Sequence, residues 1–303
     1  MVLESPYKGC MAPVFTPFDD KALLNVSVVD DYARSLAQRS VKAVLVNGTV
    51  GEGVLMSLCE RKKLAEAWVK AAEKYGLHVM VHVGGTNLNG VRELAQHAES
   101  LKVSSILCLP DFFFRPTSIN ELVDYLKVVS KAAPKTPLFY YNYPALNGVK
   151  LDMVKFLELG YDSIPTLAGL KYTDVNLEES FRCTQVRNGA FTIFLGCDQL
   201  TAPALSMGFD SFITTFLNVG SQLIFKIQDK ISSGNNEEAR QIQTRITNLC
   251  TFINKEMQWI NGFKEAITLV TGINLGAPRA PLPPLTDEQK TKLKEYLTKE
   301  KFL

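Results

Sequence analysis

The sequence predicts an α/β fold, a closed (β/α)8 TIM barrel followed by additional C-terminal helices. Three observations carry this expectation. Short apolar, β-branched runs alternate with longer stretches of helical period, which is the pattern of parallel βαβ units. The alternation occurs eight times, and eight successive units favour closure over an open doubly wound sheet. Beyond the eighth unit the chain reads as further helices, with no interdomain linker and no repeat other than the βα period.

The strand candidates are residues 10–15, 43–46, 78–83, 105–109, 138–141, 167–171, 192–195 and 211–214. Each is too short for a typical helix and is rich in the apolar residues that suit a strand buried on both faces. Between them, helix punctuation is explicit. Ser57-Leu58-Cys59-Glu60 spells a capping box, in which the serine hydroxyl and the glutamate carboxylate each bond the other's backbone amide, and Gly76 marks the C-terminal stop. Asn176-Leu177-Glu178-Glu179 repeats the start signal. Residues 237–270 read as one or two amphipathic helices, and 287–299 as another after the proline-rich turn 277–285; all are expected to pack on the outside of the barrel. Residues 1–303 are thus expected to form a single domain, with the barrel at about 8–235 and a helical extension at about 236–303. A barrel also predicts where chemistry lies: at the C-terminal ends of strands and in the loops just after them.

Composition narrows the ligand. Thirty-three Lys and Arg against 31 Asp and Glu give a formal charge of +2, with no basic run or basic aromatic stripe. That excludes a nucleic-acid footprint and leaves a small molecule as the expected partner. Cys10, Cys59, Cys108, Cys183, Cys197 and Cys250 never form a C-x-x-C pair, which argues against structural zinc or a disulfide framework and predicts reduced, mostly buried thiols. Residues 1–9 carry no apolar signal region, and no stretch is long and uncharged enough to span a bilayer. A soluble cytoplasmic protein without membrane contact is expected.

Lys171 ends the apolar run Leu167-Ala168-Gly169-Leu170, which puts it at the mouth of a barrel strand. A solvated strand-end lysine is the ordinary reading of such a residue. Desolvation would instead favour a neutral amine able to attack a ketone, giving a protonated imine that withdraws electrons from the adjacent carbon. Asn47-Gly48-Thr49-Val50-Gly51-Glu52-Gly53 follows the second strand, and its glycines suit a small nest for carboxylate or phosphate oxygens. It matches neither G-x-G-x-x-G nor the Walker pattern, which disfavours a nucleotide. Tyr140, Tyr141 and Tyr143 stand at the end of the fifth strand, where a phenol can shuttle a proton to and from a substrate oxygen. His78 and His82 share a face of the third strand, but zinc wants three or four ligands and His97 falls in the following helix. Both are therefore expected to be satisfied structural histidines, with no metal site. Phe112-Phe113-Phe114 is expected to serve packing or a subunit contact.

Taken together, Gly48-Thr49-Val50-Gly51-Glu52, Tyr141-Asn142-Tyr143-Pro144 and Gly169-Leu170-Lys171-Tyr172-Thr173, in that order at different strand ends, resemble the N-acetylneuraminate lyase and dihydrodipicolinate synthase family. The similarity spans nearly the whole chain. Ala145-Leu146 after the proline looks like the lyase branch; the synthase branch carries a nearby arginine for a second carboxylate, and none occurs here. The resemblance implies Lys171 as the Schiff-base residue, Tyr141 as the proton shuttle, and Gly48, Thr49, Val50 and Gly51 as the cradle for the carboxylate of pyruvate. Thr173 would line the acceptor side, with Gly196, Asp198, Gln199 and Thr215 toward the aldehyde or amino sugar. It further implies a homotetramer, no cofactor, and a class I lyase that reversibly cleaves N-acetylneuraminate to pyruvate and N-acetylmannosamine.

Three departures from the family pattern fall on substrate recognition. Val50 stands where a second hydroxyl residue is usual, Gln199 where sialic acid lyases resemble Gly-x-Asp-Glu, and Thr214-Thr215 where Gly-Ser is usual. A related 2-oxo-acid aldolase or condensing enzyme with an altered aldehyde partner, and a non-catalytic sugar-acid-binding barrel, are the alternatives.

Overall fold

The structure is a computed structural model, and it describes residue 3 and residues 5–303. Eight parallel strands close into a barrel in chain order: β1 (Cys10–Pro13), β2 (Ala43–Val46), β3 (His78–His82), β4 (Ser105–Cys108), β5 (Leu138–Asn142), β6 (Leu167–Tyr172), β7 (Thr192–Leu195) and β8 (Phe212–Ile213). Each predicted strand is present. β1 and β8 are shorter than expected: β1 pairs with β2 only as far as Pro13, and β8 meets its neighbours at only Phe212 and Ile213.

Successive strand residues face opposite sides. Met11, Ala43, Leu45, Met80, Leu107, Phe139, Phe194 and Ile213 fill the lumen. Ala12, Val44, Val46, Val79, Val81, Ile106, Leu138, Tyr140 and Leu195 face outward into a second apolar layer under the helices. Burial on both faces is why the strands read as continuous apolar runs.

One strand breaks this alternation. Between β5 and β6 the register jumps, so that Leu138 pairs with Leu167 but Phe139 pairs with Gly169. Ala168 belongs to the lumen, whereas Leu167 and Leu170 face outward. The extra residue resets the phase, and Lys171 points inward where strict alternation from Ala168 would turn it out. Gly169 makes the bulge possible: its φ is +153°, and a Cβ there would overlap the carbonyl oxygen of Thr192 on β7.

The helices are α1 (Val29–Gln38), α2 (Leu58–Tyr75), α3 (Leu88–Ser100), α4 (Ile119–Ala132), α5 (Pro144–Asn147), α6 (Met153–Ser163), α7 (Leu177–Gln185), α8 (Thr201–Ser206), α9 (Leu217–Ser232), α10 (Asn236–Glu256), α11 (Trp259–Thr271) and α12 (Asp287–Lys299). The capping box of α2 forms as predicted, with the Glu60 amide donating to Ser57 Oγ at 3.2 Å and the Ser57 amide donating to Glu60 at 2.9 Å. Gly76 closes that helix at φ +66°. The 237–270 stretch resolves into two helices, α11 being capped by the Gln258 side chain. The expectation that the extension lies wholly outside the barrel is corrected. The start of α11 and residues 281–282 reach the barrel mouth and line its cavity.

All six cysteines are free; Cys59 is exposed, Cys197 half-buried and the other four buried. No helix of the described residues is long and apolar enough to cross a membrane.

Candidate active site

A cavity of about 750 Å³ opens at the C-terminal end of the strands. Lys171 and Tyr141 face it from neighbouring strands, because the β5–β6 ladder pairs these two residues directly. Lys171 is 5% exposed, and its Nζ donates a hydrogen bond to Tyr141 Oη at 3.0 Å. Tyr141 Oη lies 3.1 Å from Thr49 Oγ1, in the loop after β2. Three strand ends thus bring an amine, a phenol and a hydroxyl into one chain of contacts. Among the described residues no carboxylate pairs with Lys171, and its hydrogen-bond partner is the Tyr141 phenol oxygen.

The 48–53 loop folds on itself: the Glu52 amide donates to Thr49 O and the Gly53 amide to Gly48 O, at 3.0 and 3.1 Å. The amides of Thr49, Val50 and Gly51 donate to no described group, which leaves them free for an anion. Gly48, Thr49 and Val50 line the cavity. At Gly51 a Cβ would sit 2.8 Å from Val14 O, so this glycine permits close approach of the β1 backbone.

Thr173, Gly196, Asp198, Gln199 and Thr215 all line the same cavity. Thr173 Oγ1 is buried with no partner. A Cβ on Gly196 would overlap that hydroxyl and press on Lys171 Cε at 3.3 Å, which explains the glycine. The Asp198 carboxylate accepts from the Phe216 amide at 2.8 Å and the Thr215 amide at 3.3 Å, tying the loop after β7 to the one after β8. Burial pushes its carboxyl up to about 6, against the lowering pull of those amides and of Lys171. Val50 adds only an apolar wall, and Thr214 Oγ1 is buried without a partner.

The reading of both histidines as satisfied is corrected at one of them. His78 Nδ1 lies 3.3 Å from Ser104 Oγ, but only one nitrogen of buried His82 has a partner. Burial, and the charges of Arg61 and Lys171, push its pKa well below the usual value, so the ring is neutral. Its Nδ1 lies 3.0 Å from Asn47 O and 3.4 Å from Arg61 Nη2, which already donates to His82 O at 2.6 Å; the shorter contact, to an acceptor, favours the proton on Nδ1 and leaves Nε2 an unpaired acceptor. Among the described residues no group of three His, Cys, Asp or Glu could hold a metal ion.

Sequence residues 6–300 match the dihydrodipicolinate synthetase family. The chain belongs to this family. It is a carbon–carbon lyase, similar to the N-acetylneuraminate lyase of Xenopus tropicalis, with 35% identity over 91% of this chain and 90% of that one. Proteus mirabilis N-acetylneuraminate lyase superposes with a TM-score of 0.94 at 31% identity, covering 98% and 99% of the two chains. A catalytic lysine mutant of Ruminococcus gnavus sialic acid aldolase superposes at 0.89 with 27% identity, covering all of both chains. In this family member, sequence reasoning missed part of the cavity. Tyr143 stacks on Tyr141 with ring centroids 5.8 Å apart, and Asn254, Gln258, Trp259, Ile260, Pro281 and Leu282 wall the outer end. Tyr143 was already among the strand-end tyrosines named from the sequence; the other six come from the extension, which is the part missed, and nothing local marks them.

Proposed function

We propose that this enzyme cleaves N-acetylneuraminate reversibly to pyruvate and N-acetylmannosamine through a Schiff base on Lys171. The observation that carries the reading is the contact of Lys171 Nζ with Tyr141 Oη at 3.0 Å inside a buried, mainly apolar mouth. That a similar aldolase has a catalytic lysine supports it. The unprotonated amine attacks the substrate's C2 carbonyl, Tyr141 Oη gives its proton to the departing hydroxyl, and water leaves, forming a protonated imine beside a phenolate. Tyr141 oxygen takes the proton of the C4 hydroxyl, the C3–C4 electron pair moves toward the imine nitrogen, and the aldehyde departs. Protonation of the resulting enamine at C3 and hydrolysis release pyruvate and restore the amine. Free amides of residues 49–51 hold the carboxylate, and Thr173 Oγ1, lacking a protein partner, faces the departing half. We place the enzyme in the cytoplasm as a homotetramer acting without a cofactor.

Borohydride added with pyruvate is expected to trap a covalent adduct on Lys171, seen as a mass increase that Lys171→Ala abolishes; full activity in that variant would exclude the mechanism. Tyr141→Phe should still trap the adduct while turnover falls about 100- to 10,000-fold. Chelator is expected to leave the rate unchanged. A second reading keeps the same chemistry with another aldehyde, on the strength of Val50, Gln199 and Thr215 at the cavity wall. Pyruvate release from N-acetylneuraminate decides between them: none, with turnover of a different 4-hydroxy-2-oxo acid, supports the second.

A further inference from the structure

Glu52 ends the 48–51 loop in the left-handed conformation, φ 54° and ψ 30°, which is strained for a residue with a side chain. Its side chain is fully buried. Oε1 makes an ion-pair contact with Lys264 Nζ on α11 at 2.8 Å, and Oε2 accepts from the Arg279 amide at 2.7 Å. Lys264 is as buried as its partner; it donates to Ala277 O at 3.2 Å and stands 4.6 Å from the Phe18 ring centroid. The Arg279 guanidinium covers the same ring at 4.3 Å and reaches Glu60, Leu55 O and Ala22 O. One carboxylate therefore joins the loop after β2 to α11 and to the 277–282 segment.

Stability alone does not call for this arrangement. A buried ion pair is commonly replaced by well-packed apolar residues at little loss, because desolvating two charges offsets their attraction. Strain at Glu52 adds to that cost. What the pair does supply is geometry. Its loop offers the free amides of residues 49–51, while the elements it holds present Trp259 and Ile260 from α11, and Pro281 and Leu282 from the segment, to the outer cavity.

We propose that Glu52 is a positioning residue that couples the carboxylate cradle to the acceptor wall, so that a 2-oxo acid in the cradle orders the wall against which the aldehyde binds. The inference rests on the reading of the 48–51 loop as that cradle. Coupling of this kind is reciprocal: an aldehyde against the wall tightens 2-oxo-acid binding by the same factor.

Hydrogen exchange followed by mass spectrometry tests it on peptides covering residues 48–53 and 276–283, with and without pyruvate. Wild-type protein is expected to gain protection from pyruvate in both peptides. In Glu52→Gln and Lys264→Met the protection of 276–283 is lost, and the pyruvate needed for half-maximal borohydride trapping rises about tenfold at an unchanged limit. Lys264→Arg restores most of both. Single variants leave a lone buried charge, so the double variant Glu52→Gln/Lys264→Met, with neither charge, provides a folded control. Pyruvate protection of 276–283 persisting in the double variant, or absent from wild type, overturns the proposal. Failure to trap Lys171 in wild type would sink the Schiff-base reading instead, while the exchange response to pyruvate would still decide the coupling.

Discussion

At Asp198, burial and hydrogen bonding pull in opposite directions, and burial wins. The folded carboxyl titrates at about 6 instead of the usual 3.8, so the folded state binds its proton more tightly than the unfolded chain. The stability this affinity contributes is fully present below the unfolded value and is lost as pH rises through 6. Asp198→Asn, which keeps an oxygen for the Phe216 amide, is therefore expected to gain on wild type by about 2 kcal/mol between pH 4 and pH 8. Chemical denaturation at the two pH values measures this, and a difference independent of pH would contradict it. Asp198 was legible as a cavity residue from its place after β7. Its partners were not, because the Thr215 and Phe216 amides lie 17 and 18 residues away and meet it only through barrel closure. His82 shows the same limit: the sequence placed it on the correct strand, but the carbonyl that fixes its tautomer belongs to Asn47, 35 residues earlier.

Among the elements, β6 carries the proposed Schiff-base lysine through a defect. Lys171 enters the lumen because Gly169 absorbs one extra residue, and only a residue without a Cβ fits against Thr192 O. Gly169→Ala is expected to destabilise the barrel by about 1–3 kcal/mol, or to slide β6 by one residue and turn the amine outward. In the second case folded protein, confirmed by circular dichroism, would trap markedly less pyruvate; unchanged stability and trapping together would disprove this account of the bulge. Strand positions were legible because two-sided burial leaves a plain compositional mark, and the start of α2 because Ser57 and Glu60 are local to each other. The bulge was not, since what selects glycine at 169 is a carbonyl on the neighbouring strand. The cavity wall supplied by α11 was misread as outer packing for a like reason: amphipathicity reports that a face is buried, not what it is buried against.

Across the whole molecule, apolar side chains gather on the surface near the cavity. Phe113 and Phe114 are 75% and 80% exposed, set edge-on at 5.0 Å, while Leu146 and Val175, also exposed, rim the mouth. Within one chain these two phenylalanines stay exposed, and a subunit contact in the proposed homotetramer would cover them. Sedimentation should give four times the 33.7 kDa chain mass, and Phe113→Asp/Phe114→Asp should shift it to smaller species; a wild-type monomer would refute the assembly. The barrel also divides its labour. Amine and phenol ride on adjacent staves, locked by ladder hydrogen bonds, whereas Asn254, Gln258, Trp259, Ile260, Pro281 and Leu282 hang from an appendage outside the ring. If the proposed roles hold, diversifying those six positions in a combinatorial library would retarget the enzyme to new aldehydes while Lys171 and Tyr141 keep their places on the strands.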